Sequence, residues 1–492
     1  MHRKPTPPSQ RASHPSRPPI DALIAEHHAL VRPMLARLWD YYRNPAITAS
    51  AIRDPSADGT AAETLAQARG LPERLRPMPG RKREVVIEND IGWRIHTLVD
   101  FMFGKPPRIQ SLADDPEQAR AIGQLLNAVI EANGGIGLLQ DLALLGAVYG
   151  HADLLLRMRG GGPYNLADPA AVADRFLIDV IDAVRGVPLL SIEDTRELTG
   201  YIVDVPRLGR PTAKTGPIVR LRNRVFRNDA AASAQTTYHS QVWTAAEQLD
   251  YVADKPTSPR RLVGRRPNRL GRVPVVHIQN LPQPLAYSGL SEVEPLIPLQ
   301  DELNTRLSDR ANRVTMQAFK MYLGRGIEQF TERSIGPGQM WHSDNPDASI
   351  QEFGGDANAP SEQRHIDEVR DALDKTSGVS PVAAGVIRGK VGNLTSQNAV
   401  RLVLMGLLAR TERKRVTYGN GLKQLCELIL HAADVHGILP NAPEDRRVRI
   451  NWPDPVPENQ AEQLALAQQK LDLGVPRATV LAEIGYDECA ET

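Results

Sequence analysis

Two stripes of helix-spaced apolar residues, with short strand-like runs between them, organise the chain from Ser288 to Val400. In the first, SGLSEVEPLIPLQDELNTRLSDRANRVTMQAF, Leu296, Leu299, Leu303, Leu307 and Val314 recur at steps of three, four and seven. That spacing puts them on one helix face and leaves Asp301, Glu302, Arg306, Asp309, Arg310 and Arg313 on the others. Ser291 and Glu294 have capping-box spacing. Pro295 fits a first turn, whereas Pro298 removes an internal hydrogen bond, so the pattern predicts a lead-in turn, a bend and a helix to about Phe319. A second stripe, Ile366, Val369 and Leu373, follows Pro360. Between the stripes, KMYLGRGIEQF and SIGPGQMWHSDNPDASIQEFGGDANAP are cut by Gly324, Gly326, Gly336, Pro337, Gly338 and Pro346, which reads as a small β module. The order is helix, β module, return helix.

Elsewhere, helical periodicity appears at about 21–42, 89–103, 116–132 and 137–149, and the Pro/Arg/Ala-rich stretch 45–84 reads as an irregular excursion. From Ala152 the pattern changes to DLLLRM, RFLIDVID, LTGYIVDV, PIVRLRNRVF, TTYHSQVWT and PVVHIQN, a run of antiparallel strands. Thr395 or Ser396 can cap a helix to about His436, with Gly406, Gly419 and Gly421 as expected bends. After Trp452 and the prolines 453, 455 and 457, two further helices are expected to end near Gly474 and Gly485. Residues 1–19 hold six prolines, four basic residues and no acid, the composition of a disordered tail.

Composition narrows the class. The 492 residues suffice for several packed modules, and charged and apolar fractions are near average. A net charge of +1 disfavours a protein that grips DNA tightly. Cys426 and Cys489 make neither a CxxC motif nor a disulfide framework, and no signal peptide or membrane-length apolar run is evident. GVIRGKV has three residues between its glycines and Val391 after Lys390, so it is not a nucleotide-binding Walker loop. GLSEV lacks the second glycine of a nucleophile elbow. The adjacent His27 and His28, and the five-apart His431 and His436, lack metal-ligand spacing. No catalytic residue, metal site or cofactor is expected. Two basic clusters remain: PRRLVGRRPNRLGR, with Arg260, Arg261, Arg265, Arg266, Arg269 and Arg272, reads as a solvated or subunit-bridging loop. ARTERKR, with Arg410, Arg413, Lys414 and Arg415, reads as a surface for contacts between subunits.

Six segments in colinear order carry a resemblance. They are LWDYYRNP; VVIENDIGWRIHTLVDFMFGKPP; NRLGRVPVVHIQN; GLSEVEPLIPLQDELN; SGVSPVAAGVIRGKVGNLTSQNAVRLVLMGLLARTERKR; and INWPDPVPENQAEQLALAQQKLDLGVPRATVLAEIGYD. The chain resembles the portal, or head-to-tail connector, proteins of tailed double-stranded DNA bacteriophages over most of residues 20–490. The resemblance implies an α+β, mainly helical portal fold assembled as a ring, twelve-membered by likeness, around a central channel. It implies a tail at 1–20, a wing at 21–288 (helical 21–150, β-rich 151–288), a stem helix at 289–317 and a clip at 318–360. A return stem helix at 361–378, a tunnel loop at 379–394, a long wing helix at 395–440 and a crown at 441–492 follow. It further implies transient, sequence-indifferent contact with double-stranded DNA by Arg388, Lys390 and Asn393 of the tunnel loop, and by Arg306, Arg310 and Arg313 of the stem. The implied partners are the terminase large subunit, the major capsid protein, scaffolding protein and head-tail adaptors. The implied location is the capsid's portal vertex, after assembly in the host cytoplasm. Another capsid or connector protein and a DNA-binding regulator are the alternatives.

Overall fold

The computed structural model describes residues 20–48, 63–76, 83–159, 172–194, 197–208, 236–256, 258–318, 321–325, 346–353, 360–385, 397–456, 460–477 and 480–481. The chain divides into two compact units.

The first unit comprises Met1–Arg37, Met102–Ser291 and Arg413–Pro453. Helix α1 (Ile20–Glu26) passes through a π turn (His27–Val31) into α2 (Arg32–Arg43), as the first helical period predicts. Asp115 caps α4 (Pro116–Ala132) by accepting from the Gln118 N–H at 3.1 Å, with Pro116 where a missing N–H costs nothing. The next helix, α5 (Ile136–Tyr149), is apolar nearly all round and mostly buried. It stops at Gly150, whose φ of +91° satisfies the last turn and whose missing side chain lets the Gly289 carbonyl approach.

Two antiparallel sheets follow. One has the order β11 (Val275–Gln279), β4 (His151–Met158), β5 (Phe176–Asp182). The other runs β10 (Arg261–Pro267), β9 (Glu247–Ala253), β8 (Thr236–Thr244), β7 (Leu198–Leu208), β6 (Gly186–Leu190). Alternation explains their packing. Tyr201 and Val203 of β7, with Trp243 of β8, meet Leu155, Ile181 and Val275 of the smaller sheet, while Ile202, Val187 and Val242 turn to the opposite face and bury Ile24 of α1. The β-rich character expected from Ala152 onward is present; PIVRLRNRVF lies outside the described residues. Three strands escaped the periodicity: β6, β9 and β10. The arginine-rich segment read as a loop is therefore an edge strand, because β9 offers acids beside it. Arg266 pairs with Asp250 at 2.9 Å and Arg265 with Glu247. A further short strand, β14 (Val448–Asn451), pairs with β3 (Arg108–Ser111).

The second unit comprises Leu38–Phe101, Glu292–Glu412 and Asp454–Thr492. Described parts of 45–84 are packed, contrary to the irregular excursion expected. Strands β1 (Ala46–Thr48) and β2 (Glu63–Leu65) pair, and Ala68, Leu71 and Leu75 form a small core with Val85 and Ile87. A 3₁₀ turn (Glu294–Leu296) leads into α6 (Ile297–Ala318), so Pro298 sits in the first turn of the helix and needs no bend. The Ser291 hydroxyl at the head of this segment donates to the Val148 carbonyl at 2.6 Å. Hairpin strands β12 (Met321–Arg325) and β13 (Ser349–Phe353) separate α6 from α7 (Pro360–Ser377), reproducing the helix, β module and return helix order.

An amphipathic helix such as α6 can bury its leucine stripe against neighbouring copies of a chain. Instead Leu296, Leu303 and Leu307 are buried within the single chain, and Val314 is exposed. Two neighbours account for this. One is α7, which packs alongside and buries Ile366, Val369 and Leu373. The other is the segment of residues 83–89. Its N–H groups at Glu84, Val86, Glu88 and then Asp90 donate in turn to Asn312, Ser308, Asn304 and Gln300 at 3.0–3.1 Å. The ladder works because two extended residues advance about 6.6 Å and four helical residues about 6 Å, so alternate amides meet every fourth side chain. It satisfies backbone that no sheet covers.

The long helix after the loop is broken: α8 (Gln397–Val403) and α9 (Met405–Val435) part at Leu404, and α10 (Gln460–Asp472) follows later. Neither Gly419 nor Gly421 interrupts α9. At Gly421 the cause is close packing, since a Cβ there would overlap the Ile278 side chain.

Candidate functional site

Three of the residues expected to face a channel, Arg306, Arg310 and Arg313, lie on α6, and each already has a partner. Arg306 reaches back one turn to Glu302 (Nε to Oε1, 2.7 Å), while Arg310 crosses to the side-chain amide oxygen of Gln363 at 2.8 Å and Arg313 pairs with Glu362. His365 of α7 meets Glu302 from the other side at 2.9 Å. Burial works against the charged form of Glu302, but hydrogen bonds from His365 and Arg306 outweigh it and hold the carboxyl below its ordinary range. The pair therefore presents alternating, internally balanced charge, with Arg306 and Arg313 about a third exposed. Such a surface attracts phosphate weakly at any one position.

Arg388, Lys390 and Asn393 lie outside the described residues, but the approach to them is built around one fully buried arginine. Arg94 sits on α3 (Asp90–Phe103), and its side chain is 2% exposed. Its guanidinium donates to Asp90 (2.8 Å), Asp374 (2.5 Å), the Ser377 hydroxyl (2.9 Å) and the Val379 carbonyl (2.7 Å). A planar, five-donor fork is suited to such a junction, and lysine is not. Arg410 of α9 adds bonds to the Thr376 and Ser377 carbonyls at 3.0 and 2.9 Å and an ion pair with Glu292 at 2.5 Å. Together they clamp the end of α7. Beyond it Gly378 (φ +69°) turns the chain, Ser380 caps the 3₁₀ turn Pro381–Ala384, and Gly385 (φ +76°) turns it again. Sequence reading missed this clamp, although an arginine within the largely apolar run IGWRIHTLVDF was a usable signal.

The other candidates have structural work. Arg415 donates to the Pro453 carbonyl at 2.6 Å and lies over Trp452, and Lys414 is buried, so much of ARTERKR serves the chain itself rather than a neighbour. Arg260, 3% exposed, joins Asp204 and Ser240. Ring nitrogens of His27, His28 and His431 meet the Ala183 carbonyl, Asp204 and the Leu270 carbonyl. No cluster of metal-ligating side chains occurs among the described residues.

A buried polar group that the sequence reading passed over centres on Asp153. Cross-strand register sets His277 opposite it, Nδ1 to Oδ1 at 2.7 Å, and the hydroxyls of Tyr201 and Tyr287 donate at 2.5 and 2.9 Å. Full burial disfavours the Asp153 carboxylate, yet His277 and Tyr201 more than offset this and keep its pKa below the ordinary value. Burial, then the facing carboxylate, raises both tyrosines well above theirs.

A family profile described as "Phage portal protein, SPP1 Gp6-like" matches residues 21–486. The chain belongs to this portal protein family. Its role is that of a portal, or connector, and the family is structural rather than enzymatic. Curated proteins searched for likeness gave no match. Among solved structures, the portal chain is similar to one from the neck of an empty gene transfer agent (GTA) particle computed with C6 symmetry. The identity is 11%, 81% of this chain and 90% of that one are covered, and the TM-score is 0.46. Chains from the native GTA virion (11% identity, 80% and 89% covered, TM-score 0.44) and from the native neck computed with C12 symmetry (12%, 80% and 89%, 0.44) are also similar.

Proposed function

We propose that this portal protein assembles as a closed ring, dodecameric by family likeness, at one vertex of a capsid, and that duplex DNA enters and leaves through its bore. Family membership across residues 21–486 carries the reading. The helix pair α6 and α7 supports it as the stem, with the β12–β13 hairpin as part of a clip, the β sheets as the wing and α10 as part of a crown. Arg306, Arg310 and Arg313, half neutralised by their acidic and amide partners, fit a wall that DNA slides past. Arg388, Lys390 and Asn393 are proposed to touch phosphates transiently from the tunnel loop. Terminase, the major capsid protein, scaffolding protein and head-tail adaptors are the proposed partners, with assembly in the host cytoplasm. Electron microscopy of the purified protein tests the assembly. Rings with a hole wide enough for duplex DNA are expected; monomers or dimers that persist at all concentrations, even with the capsid and scaffolding proteins added, would overturn it.

A further inference from the structure

We propose that the loop of residues 281–290 is a preformed apolar knob that seats against a second copy of this chain, with Leu285 as its tip. Leu285 is fully exposed (101%) and holds φ +62°, a left-handed backbone that leucine seldom adopts. A loose loop would relax out of it. This one is fastened at three places. The Leu290 N–H donates to the Leu281 carbonyl across the base at 3.0 Å. Gln279 accepts from the Gln283 N–H at 3.2 Å and donates to the Ala286 and Tyr287 carbonyls at 2.8 and 3.1 Å. Tyr287 is stacked on His277 at 3.8 Å, donates its hydroxyl to Asp153, and offers its carbonyl to His277 Nε2 at 2.7 Å. The buried Asp153 network thus acquires a purpose: it holds the knob in shape before any partner arrives, so that little ordering cost is left for association.

The chemistry of the tip selects the partner. LPQPLAYSGL contains no charged side chain in a chain whose residues are 24% charged, so the tip is ill suited to DNA phosphate. Pro282, Pro284 and Leu290 around it are exposed and apolar. The same compact unit exposes apolar side chains outside this loop as well, among them Ile192 (86%), and Leu30 (69%) and Met34 (53%), the last two four positions apart along the first helical run. Two unlike sticky surfaces on one subunit are what a heterologous, ring-closing contact requires. The inference rests on the ring reading proposed above.

Its test compares Leu285→Gly and Leu285→Asp with the unmodified full chain in a dilution series followed by mass photometry. Glycine accepts the backbone, so monomer melting should hold or rise, while the concentration at which rings fall apart should climb about tenfold or more for both variants. A photo-crosslinking residue at position 285 should join one copy to the next. Rings of unchanged stability, with crosslinks only inside a chain or to another protein, would sink the knob and leave the ring reading standing. Absence of rings from the unmodified protein would remove the ring reading, and the knob with it.

Discussion

At the scale of single residues, the first unit depends on histidines that the fold keeps neutral. Burial lowers the pKa of His151, outweighing the pull of Asp153 and Asp182, while the neighbouring His277 and His27 push the same way as burial. Burial likewise lowers His27 and His28, the latter against the attraction of Asp204. A folded-state pKa below the ordinary 6.5 means that the unfolded chain binds protons first. Stability is therefore complete above about pH 6.5 and declines as the pH falls below it, towards the lowered folded value. His151→Gln should flatten this decline in denaturant titrations between pH 7 and 5; a slope equal to the unmodified protein's would show that His151 plays no part. Few such residues announce themselves in the sequence. His277 and Asp153 stand out only as polar letters in the apolar strands PVVHIQ and HADLLL, and nothing in either string announces that register will pair them. The candidate arginines Arg306, Arg310 and Arg313 were legible as one charged side of a helix, but Gln363 and Glu362, the partners of Arg310 and Arg313, arrive from 53 and 49 positions away.

Among elements, α9 shows how one residue type can have opposite meanings. Gly419 and Gly421 were both expected to bend the helix, yet neither interrupts it. An added Cβ at Gly419 would rest 3.6 Å from Trp452, an ordinary contact, whereas at Gly421 it would overlap Ile278. Gly419→Ala should stabilise the protein by up to about 1 kcal/mol through helix propensity alone. Gly421→Ala should destabilise it, since overpacking by about 1–3 kcal/mol exceeds that gain. Melting temperatures moving in opposite directions would bear this out, and a shared direction would contradict the packing argument. The helix, β module and return helix order was legible because apolar spacing alone dictates it. The strands β9 and β10 were not, since EQLDYVA and RLVGRRP have no clean alternation and owe their pairing to neighbours and to Arg–acid bridges across the sheet edge.

For the whole molecule, the proposed passage of DNA through a ring can be tested beside the Arg94 clamp. The clamp fixes the chain at Val379, immediately before the segment that carries Arg388, Lys390 and Asn393. Shortening residues 383–392 should leave rings assembled, because the clamp and both helices of the pair are untouched, but should lower the amount of DNA retained in filled heads. Heads that keep a full genome with the shortened segment would show that it does not resist slippage.

Family, element order and the mixed helix and strand class were determined by the sequence itself. Apolar periodicity and colinear motifs are properties of neighbouring residues, and folding does not alter them. What covers the leucine face of α6 was decided only in three dimensions. The spacing of Leu303 and Leu307 demands burial without saying against what, and the answer is α7 and the ladder of residues 83–90 rather than another copy of the chain. The Arg94 junction and the strained tip at Leu285 were settled in the same way. Each depends on a hydrogen-bond partner or an exposure fixed by residues distant in the chain, and periodicity carries no information about such distances.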